Sequence, residues 1–218
     1  MSTLFASQQS SMPFPQSLAS KYQPRQIADF VGLEKVKRIL TAFARNPRPS
    51  AFLFIGPPGT GKTTMALALC EAIAGELHHI PSQDCNVETV KRTVDFCHYV
   101  PMAGKRFHVV LVDEADCMSS AAQLSLLSRL DATAFPPNTV FVFTCNATER
   151  LEPRFLSRCM TCEFSSYGMN GAASEFLCRV WSSETNAQAP NFAQIMRNAR
   201  NNLREALNLL ETEILAAS

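Results

Sequence analysis

Lys62 and Thr63 close an eight-residue run, Gly56-Pro57-Pro58-Gly59-Thr60-Gly61-Lys62-Thr63, with the spacing G-x-x-x-x-G-K-T. The three glycines leave no Cβ between the backbone and an incoming anion. Residue types in this pattern hold a polyphosphate: loop N–H groups cradle it, Lys62 reaches the β- and γ-phosphates, and the Thr63 hydroxyl falls on Mg²⁺. Pro57, Pro58, Thr60 and Thr64 complete the expected nucleotide-binding set. A second group follows the apolar run that starts at Phe107, where Asp113 and Glu114 stand side by side. Asp113 suits Mg²⁺ coordination, usually through water. Glu114 suits polarising a water that attacks a γ-phosphate. Asn146, after the apolar run from Thr139 to Thr144, can hold that water with its amide. The chemistry these groups share is hydrolysis of a nucleoside triphosphate.

The elements that must position them are legible. Phe52–Ile55 reads as a buried strand running into the loop. The loop feeds a helix from Lys62 to about Ala74, whose positive N-terminal end faces the phosphates. Met65, Ala66, Leu69 and Ile73 give it one apolar face for a sheet. Glu76–Ile80 is a candidate second strand. Phe107–Val112 and Thr139–Thr144 are buried strands, and Thr161–Phe164 is a short last one. In a parallel sheet, the carboxyl end that carries Asp113 and Glu114 lies beside the loop. Helices are expected over Glu34–Arg45, Asn86–Tyr99 and 120–130, the last with Ala121, Leu124, Leu127 and Leu130 as its apolar positions. Gly168-Met169-Asn170-Gly171 is a linker, and three helices follow: Ala173–Ser183, Asn191–Asn198 and Asn202–Ala216. The last bears Leu203, Ala206, Leu207, Leu210 and Ile214 on one stripe, and Trp181 belongs to the core of this helical unit. The plan is a flexible arm over 1–20, an α/β nucleotide-binding domain over 21–166 and a helical lid over 167–218. The arm has no charge and is rich in Ser, Gln and Pro; Phe5, Phe14 and Leu18 are its candidates for docking.

Composition sets bounds. The 218 residues are 46% hydrophobic and 18% charged, a globular balance. A net charge of +1 carries no overall basic signature, so nucleic-acid binding needs local charge. Lys91 and Arg92 on the 86–99 helix, and Arg129 on the next, fit either a solvated face or contacts to a phosphate backbone. No apolar stretch reaches membrane-spanning length and no cleavable leader is evident, so a cytoplasmic protein without membrane contact is expected. The eight scattered cysteines read as reduced thiols. Cys159 and Cys162 have metal-like spacing without a second pair. His78 and His79 are adjacent, face opposite ways in a strand, and make poor partners for one metal. Tyr22 and Val31, upstream of the loop, fit either core packing or an apolar clamp on a purine.

At this point a family resemblance enters. The sequence resembles the AAA+ ATPases, and among them clamp-loader subunits of the small replication factor C type and its bacterial counterpart. Five stretches carry it: Lys21-Tyr22-Gln23-Pro24 with Phe30-Val31-Gly32, the Gly56–Thr63 loop, Asp113-Glu114-Ala115-Asp116, Thr144-Cys145-Asn146, and Ser157-Arg158-Cys159. The resemblance covers about residues 20–217. It implies a P-loop AAA+ fold, a parallel five-stranded sheet flanked by helices with a small all-α lid. It also implies ATP with Mg²⁺. By the same resemblance Arg158 is an arginine finger acting in trans on the next subunit's γ-phosphate, so a homo- or hetero-oligomer is expected. Arg150 and Arg154 lie on the same short element. Leu203-Arg204-Glu205-Ala206 resembles the motif in which Arg204 touches the phosphates from the lid. DNA and a DNA-bound protein are the implied partners. The sequence stops after the lid, where clamp-loader subunits usually continue into a collar, and weak assembly dependent on ATP, DNA or a partner is expected. Gln23 stands where the family commonly has arginine. The rival is a non-replicative AAA+ switch that remodels a protein complex without touching DNA. A nucleotide-binding subunit that never turns over is a third class, and the intact Glu114 argues against it.

Overall fold

The computed structural model describes residues 16–131, 133–165 and 169–217. Residues 1–15 with Phe5 and Phe14, Ala132, Ser166, Tyr167, the linker's Gly168 and Ser218 lie outside the described residues. The long apolar runs become strands covered on both faces, as near-continuous Val, Leu and Phe sequences require, while the two edge strands, Gly75–Pro81 and Met160–Glu163, are partly exposed. The strands are β1 (Ser50–Ile55), β2 (Gly75–Pro81), β3 (Phe107–Asp113), β4 (Thr139–Cys145) and β5 (Met160–Glu163). The sheet runs in the order β2-β3-β4-β1-β5, with every neighbouring pair parallel. All connections therefore cross over, and the carboxyl ends of β1, β3 and β4 collect at one edge.

The described helices are α1 (Leu18–Lys21), α2 (Glu34–Arg45), α3 (Lys62–Ala72), α4 (Val87–Phe96), α5 (Ser120–Arg129), α6 (Pro153–Leu156), α7 (Asn170–Glu184), α8 (Phe192–Asn198) and α9 (Leu203–Ala217). One sheet face packs Phe52, Phe54, Leu111 and Val142 against α2 and α3. Fully buried Phe52 meets Phe43 edge-on at 4.8 Å. Burying one such ring contributes about 1.5–3 kcal/mol. The other face packs Leu53, Val110, Val112 and Phe143 against α4, α5 and Phe155 of α6. A third cluster joins α7, α8 and α9 around Leu177, Trp181, Ile195 and Leu210, forming the helical lid.

Two expectations change. Where a flexible arm to residue 20 is expected, Ser17 caps α1 and Leu18 is buried in the lid cluster. The Leu18 N–H donates to Glu211 Oε2 at 3.0 Å, so this stretch is tied to α9. The apolar positions expected on α5 are half right: Leu127 and Leu130 are buried as expected. Ala121 and Leu124 are exposed, whereas Ala122, Gln123 and Leu126, not among the expected positions, are buried. A buried glutamine shifts the inward face, and an apolar count alone does not see it.

Candidate functional site

β1 delivers the chain to Gly56, whose N–H donates to the Cys145 carbonyl at 3.2 Å. A Cβ on Gly56 would collide with the Phe164 backbone carbonyl. Gly59 (φ 75°) and Gly61 (φ 87°) are left-handed, and Gly61 caps α3. Gly56→Ala is therefore expected to lower the urea midpoint by the equivalent of about 1–3 kcal/mol or more. Gly171→Ala, in α7 where a Cβ meets open space, should not lower the midpoint. Equal midpoints for the two variants would show that the loop gives way freely.

Lys62 is buried beneath the loop. Its ammonium donates to the Gly56 carbonyl (2.6 Å), the Pro57 carbonyl (3.0 Å) and Asn146 Oδ1 (3.0 Å). Three protons thus meet three oxygens. Burial holds this lysine below its ordinary range, opposed by Cys145, Asp116 and Asp113, while Arg204 adds to the depression. The first N–H groups of α3 have no intrahelical partner by construction, so they are available to an anion.

The carboxylates arrive from β3. Asp113 Oδ1 accepts from the Thr63 hydroxyl at 2.8 Å and also from the Thr144 hydroxyl. Thr144 in turn accepts the Glu114 N–H at 3.0 Å, which ties β4 to the end of β3. Glu114 is exposed and left-handed at φ 52°, a conformation a non-glycine residue adopts at a cost. Asp116 Oδ2 accepts the Asn146 N–H at 3.3 Å, while its Oδ1 is buried without a hydrogen-bond partner. Hard oxygen donors on Thr63 and Asp113, with Asp116 and its unsatisfied carboxylate oxygen three residues after Asp113, fit Mg²⁺.

Beside the loop lies a cavity of about 340 Å³. Tyr22, Phe30, Val31, Phe176 and Leu207 give it apolar walls, and Gly59, Thr60, Gly61 and Arg204 line it too. An apolar chamber opening onto a glycine loop fits a purine with its phosphates. Tyr22 sits edge-on to Phe176 at 6.4 Å, and its hydroxyl bonds Glu184, which also pairs with Lys21 at 2.8 Å. Gln23 Nε2 donates to Thr64 Oγ1 at 3.2 Å. The sequence reading missed Asn202. It caps α9 by accepting the Glu205 N–H at 3.2 Å and donates to the Pro58 carbonyl at 3.3 Å, bridging lid and loop. Asparagine before an apolar stripe is an N-cap signal. Its second contact had none.

Lys62, Thr63, Asp113 and Asn146 are thus joined by direct contacts or through one another, Glu114 through Thr144. The remaining basic candidates make none of these contacts. Arg158 Nε and Nη2 bind Asp131 Oδ1 at 2.8 and 2.7 Å, and Nη1 donates to the Arg154 carbonyl at 2.9 Å. Buried Gln123 donates to the Arg150 carbonyl and accepts the Glu152 N–H, both at 3.0 Å, so α5 sets the segment leading to Arg158. Lys91 and Arg92 are exposed on α4, and Arg129 is half-buried at the end of α5, which packs on α4. All eight cysteines are free thiols. Burial pushes Cys145 and Cys162 up to about 11 and Cys159 up to about 12. Among the described residues, no helix is long and apolar enough to cross a membrane.

Comparison with known proteins agrees with this geometry. Residues 52–167 match the family described as AAA, ATPase family associated with various cellular activities. Replication factor C small subunit 1 of Pyrobaculum aerophilum is 33% identical over 200 residues, covering 88% of this chain and 60% of its own length. Replication factor C subunit 3 of Blastobotrys adeninivorans is 29% identical over 212 residues, covering 94% of this chain and 61% of its own. The chain therefore spans about 60% of the length of these curated relatives. The Thermotoga maritima RuvB Holliday junction branch migration motor superposes with a TM-score of 0.72 over 87% of this chain and 64% of that one. At 20% identity, that likeness speaks for the fold.

Proposed function

The chain belongs to the AAA family of ATPases, and on that premise we propose that it is a clamp-loader-like ATPase working in an oligomer on DNA or on a DNA-bound protein. ATP hydrolysis comes with the family. The finer reading rests on the replication factor C relatives, which align over 88–94% of this chain. What supports the oligomer is Arg158: its guanidinium is held by Asp131 and, among the described residues, bonds none of the groups of the nucleotide site. In this reading Lys62 and the loop N–H groups bind the phosphates, and Tyr22 and Val31 flank the purine. Thr63 and Asp113 hold Mg²⁺, which when bound offsets phosphate charge. Glu114 takes a proton from the attacking water, Asn146 orients that water, and Arg204 connects nucleotide state to the lid. The division into a nucleotide-binding domain over 21–166 and a lid over 167–218 is part of the same reading.

Lys91, Arg92 and Arg129 are the proposed DNA contacts, on two helices packed together on one sheet face. Contacts of this kind go to phosphates, so binding should be sequence-independent and fall with salt. Fluorescence anisotropy with primed and duplex DNA, at two salt concentrations and with a non-hydrolysable ATP analogue, measures it. Lys91→Ala and Arg92→Ala should each make the slope of log affinity against log salt shallower by about 1. An assembled particle that fails to bind DNA at low salt favours the protein-remodelling switch instead.

A further inference from the structure

The sheet edge away from the nucleotide holds a cluster that ATP hydrolysis does not use. His78 on β2 and His108 on β3 project toward the α4 side, and Cys97 sits at the C-terminal cap of α4. His78 Nε2 and His108 Nδ1 are 3.0 Å apart. One ring nitrogen of each histidine and Cys97 Sγ lie within 4.8 Å of one another, and this is the one such convergence of three ligating groups among the described residues. His108 and Cys97 are fully buried and His78 is half-buried.

The tautomer of His108 is set by chemistry. Its Nε2 lies 2.9 Å from the Tyr99 carbonyl, which can only accept, so Nε2 carries the proton. In the neutral ring Nδ1 is then a bare lone pair, and it points at His78. A backbone carbonyl orienting a ring in this way is the usual outer support of a metal-bound histidine. Glu76 Oε2, fixed by the Met102 N–H at 2.8 Å, lies 3.6 Å from the same Nδ1 and offers a further oxygen.

We propose that His78, Cys97 and His108 form a zinc site, with Glu76 or water as the fourth ligand. Two nitrogens, a thiolate and an oxygen match the donor preference of Zn²⁺ and disfavour Mg²⁺ and Ca²⁺. Tetrahedral Zn²⁺ sets its nitrogens roughly 3.3 Å apart and nitrogen and sulfur roughly 3.6 Å apart. The nitrogens need to open by only a few tenths of an ångström from 3.0 Å, and the sulfur to close from within 4.8 Å. Binding turns His78 to the tautomer with its proton on Nδ1, and the Cys97 thiol gives its proton to solvent. His108 precedes Asp113 by five residues on β3, roughly 16 Å along a strand, so the ion would be structural. It would tie the edge strand β2 to the end of α4 and to the following segment, where Tyr99, Val100 and Met102 are exposed. It would thereby fix the helix that carries Lys91 and Arg92.

The test uses the full chain, stripped of metal under reductant and without nucleotide. Zinc is titrated against a chromophoric chelator, and Co²⁺ is added separately as a spectroscopic probe. The expected result is one tight zinc equivalent, a rise in melting temperature with zinc, and a Co²⁺ spectrum with tetrahedral visible bands and thiolate charge transfer. His78→Ala, at a half-exposed position, should weaken zinc by more than about 100-fold, beyond what an outer-shell partner costs. It keeps all eight cysteines, so adventitious thiol binding would survive in it. His79→Ala should bind as the parent does, and Cys97→Ser should lose the charge-transfer band. Equal zinc affinity in the parent and His78→Ala, or no zinc held by the parent, would overturn the proposal and leave a hydrogen-bonded histidine pair.

Discussion

Glu114→Gln should bind ATP like the parent and hydrolyse it about 10²–10⁴-fold more slowly, the range a positioned general base supplies. The backbone of Glu114 is anchored by its N–H on Thr144, and its side chain makes no hydrogen bond or ion pair among the described residues. Glutamine keeps the size and the backbone contact, so the left-handed turn at φ 52° should persist. What is lost is a carboxylate able to take a proton from water. Lys62→Ala should behave differently. It removes the ammonium that binds two loop carbonyls and Asn146, and with it the charge expected to meet the phosphates, so nucleotide binding itself should fail. A fluorescent ATP analogue reports binding, and phosphate release reports turnover. Unchanged turnover in Glu114→Gln would remove it from the base role and direct attention to Asp116, whose Oδ1 is buried without a partner.

The contrast between loop and lid explains how far the sequence could be read. Gly56 to Thr63 and Asp113-Glu114 are contiguous because each group must leave one strand end, so chemistry and local backbone are written together. The strands were legible for a similar reason: β1, β3 and β4 are covered on both faces and carry unbroken apolar runs. Other determinants join elements remote in sequence. Asn202 meets Pro58 across 144 positions, and Leu18 meets Glu211 across 193. Neither leaves a local pattern beyond a capping residue or a lone leucine. Gln123 reads as a break in an apolar stripe, yet both ends of its amide are satisfied by the segment from Arg150 to Glu152, which is what permits its burial. His78 appeared to be one of an unhelpful adjacent pair. Its actual neighbour, His108, lies 30 positions away on the next strand.

Arg158→Ala mixed with Lys62→Ala should recover ATPase activity that neither shows alone. An arginine finger supplied in trans is worth 10³–10⁵ in turnover, so its loss should be among the largest of any single substitution, near that of Lys62. In the isolated chain Arg158 is held by Asp131, with side-chain exposures of 31% and 49%. An ion pair this open to water is worth about 0–1 kcal/mol. A charge-assisted contact to a phosphate is worth about 1.5–3 kcal/mol. The finger can therefore leave Asp131 when a neighbour presents a nucleotide, and Asp131→Ala should leave turnover in the assembled state largely intact. If the site is completed by another copy or partner, specific activity should rise with protein concentration. In the mixture, Arg158→Ala keeps its Lys62 pocket and Lys62→Ala keeps its finger. Interfaces that pair the two restore a complete site, and none forms in either variant alone. A normal rate from Arg158→Ala, independent of concentration, would return Arg158 to a structural partner of Asp131. Arg154 and Arg150, both exposed on the same segment, would then be the next residues to substitute.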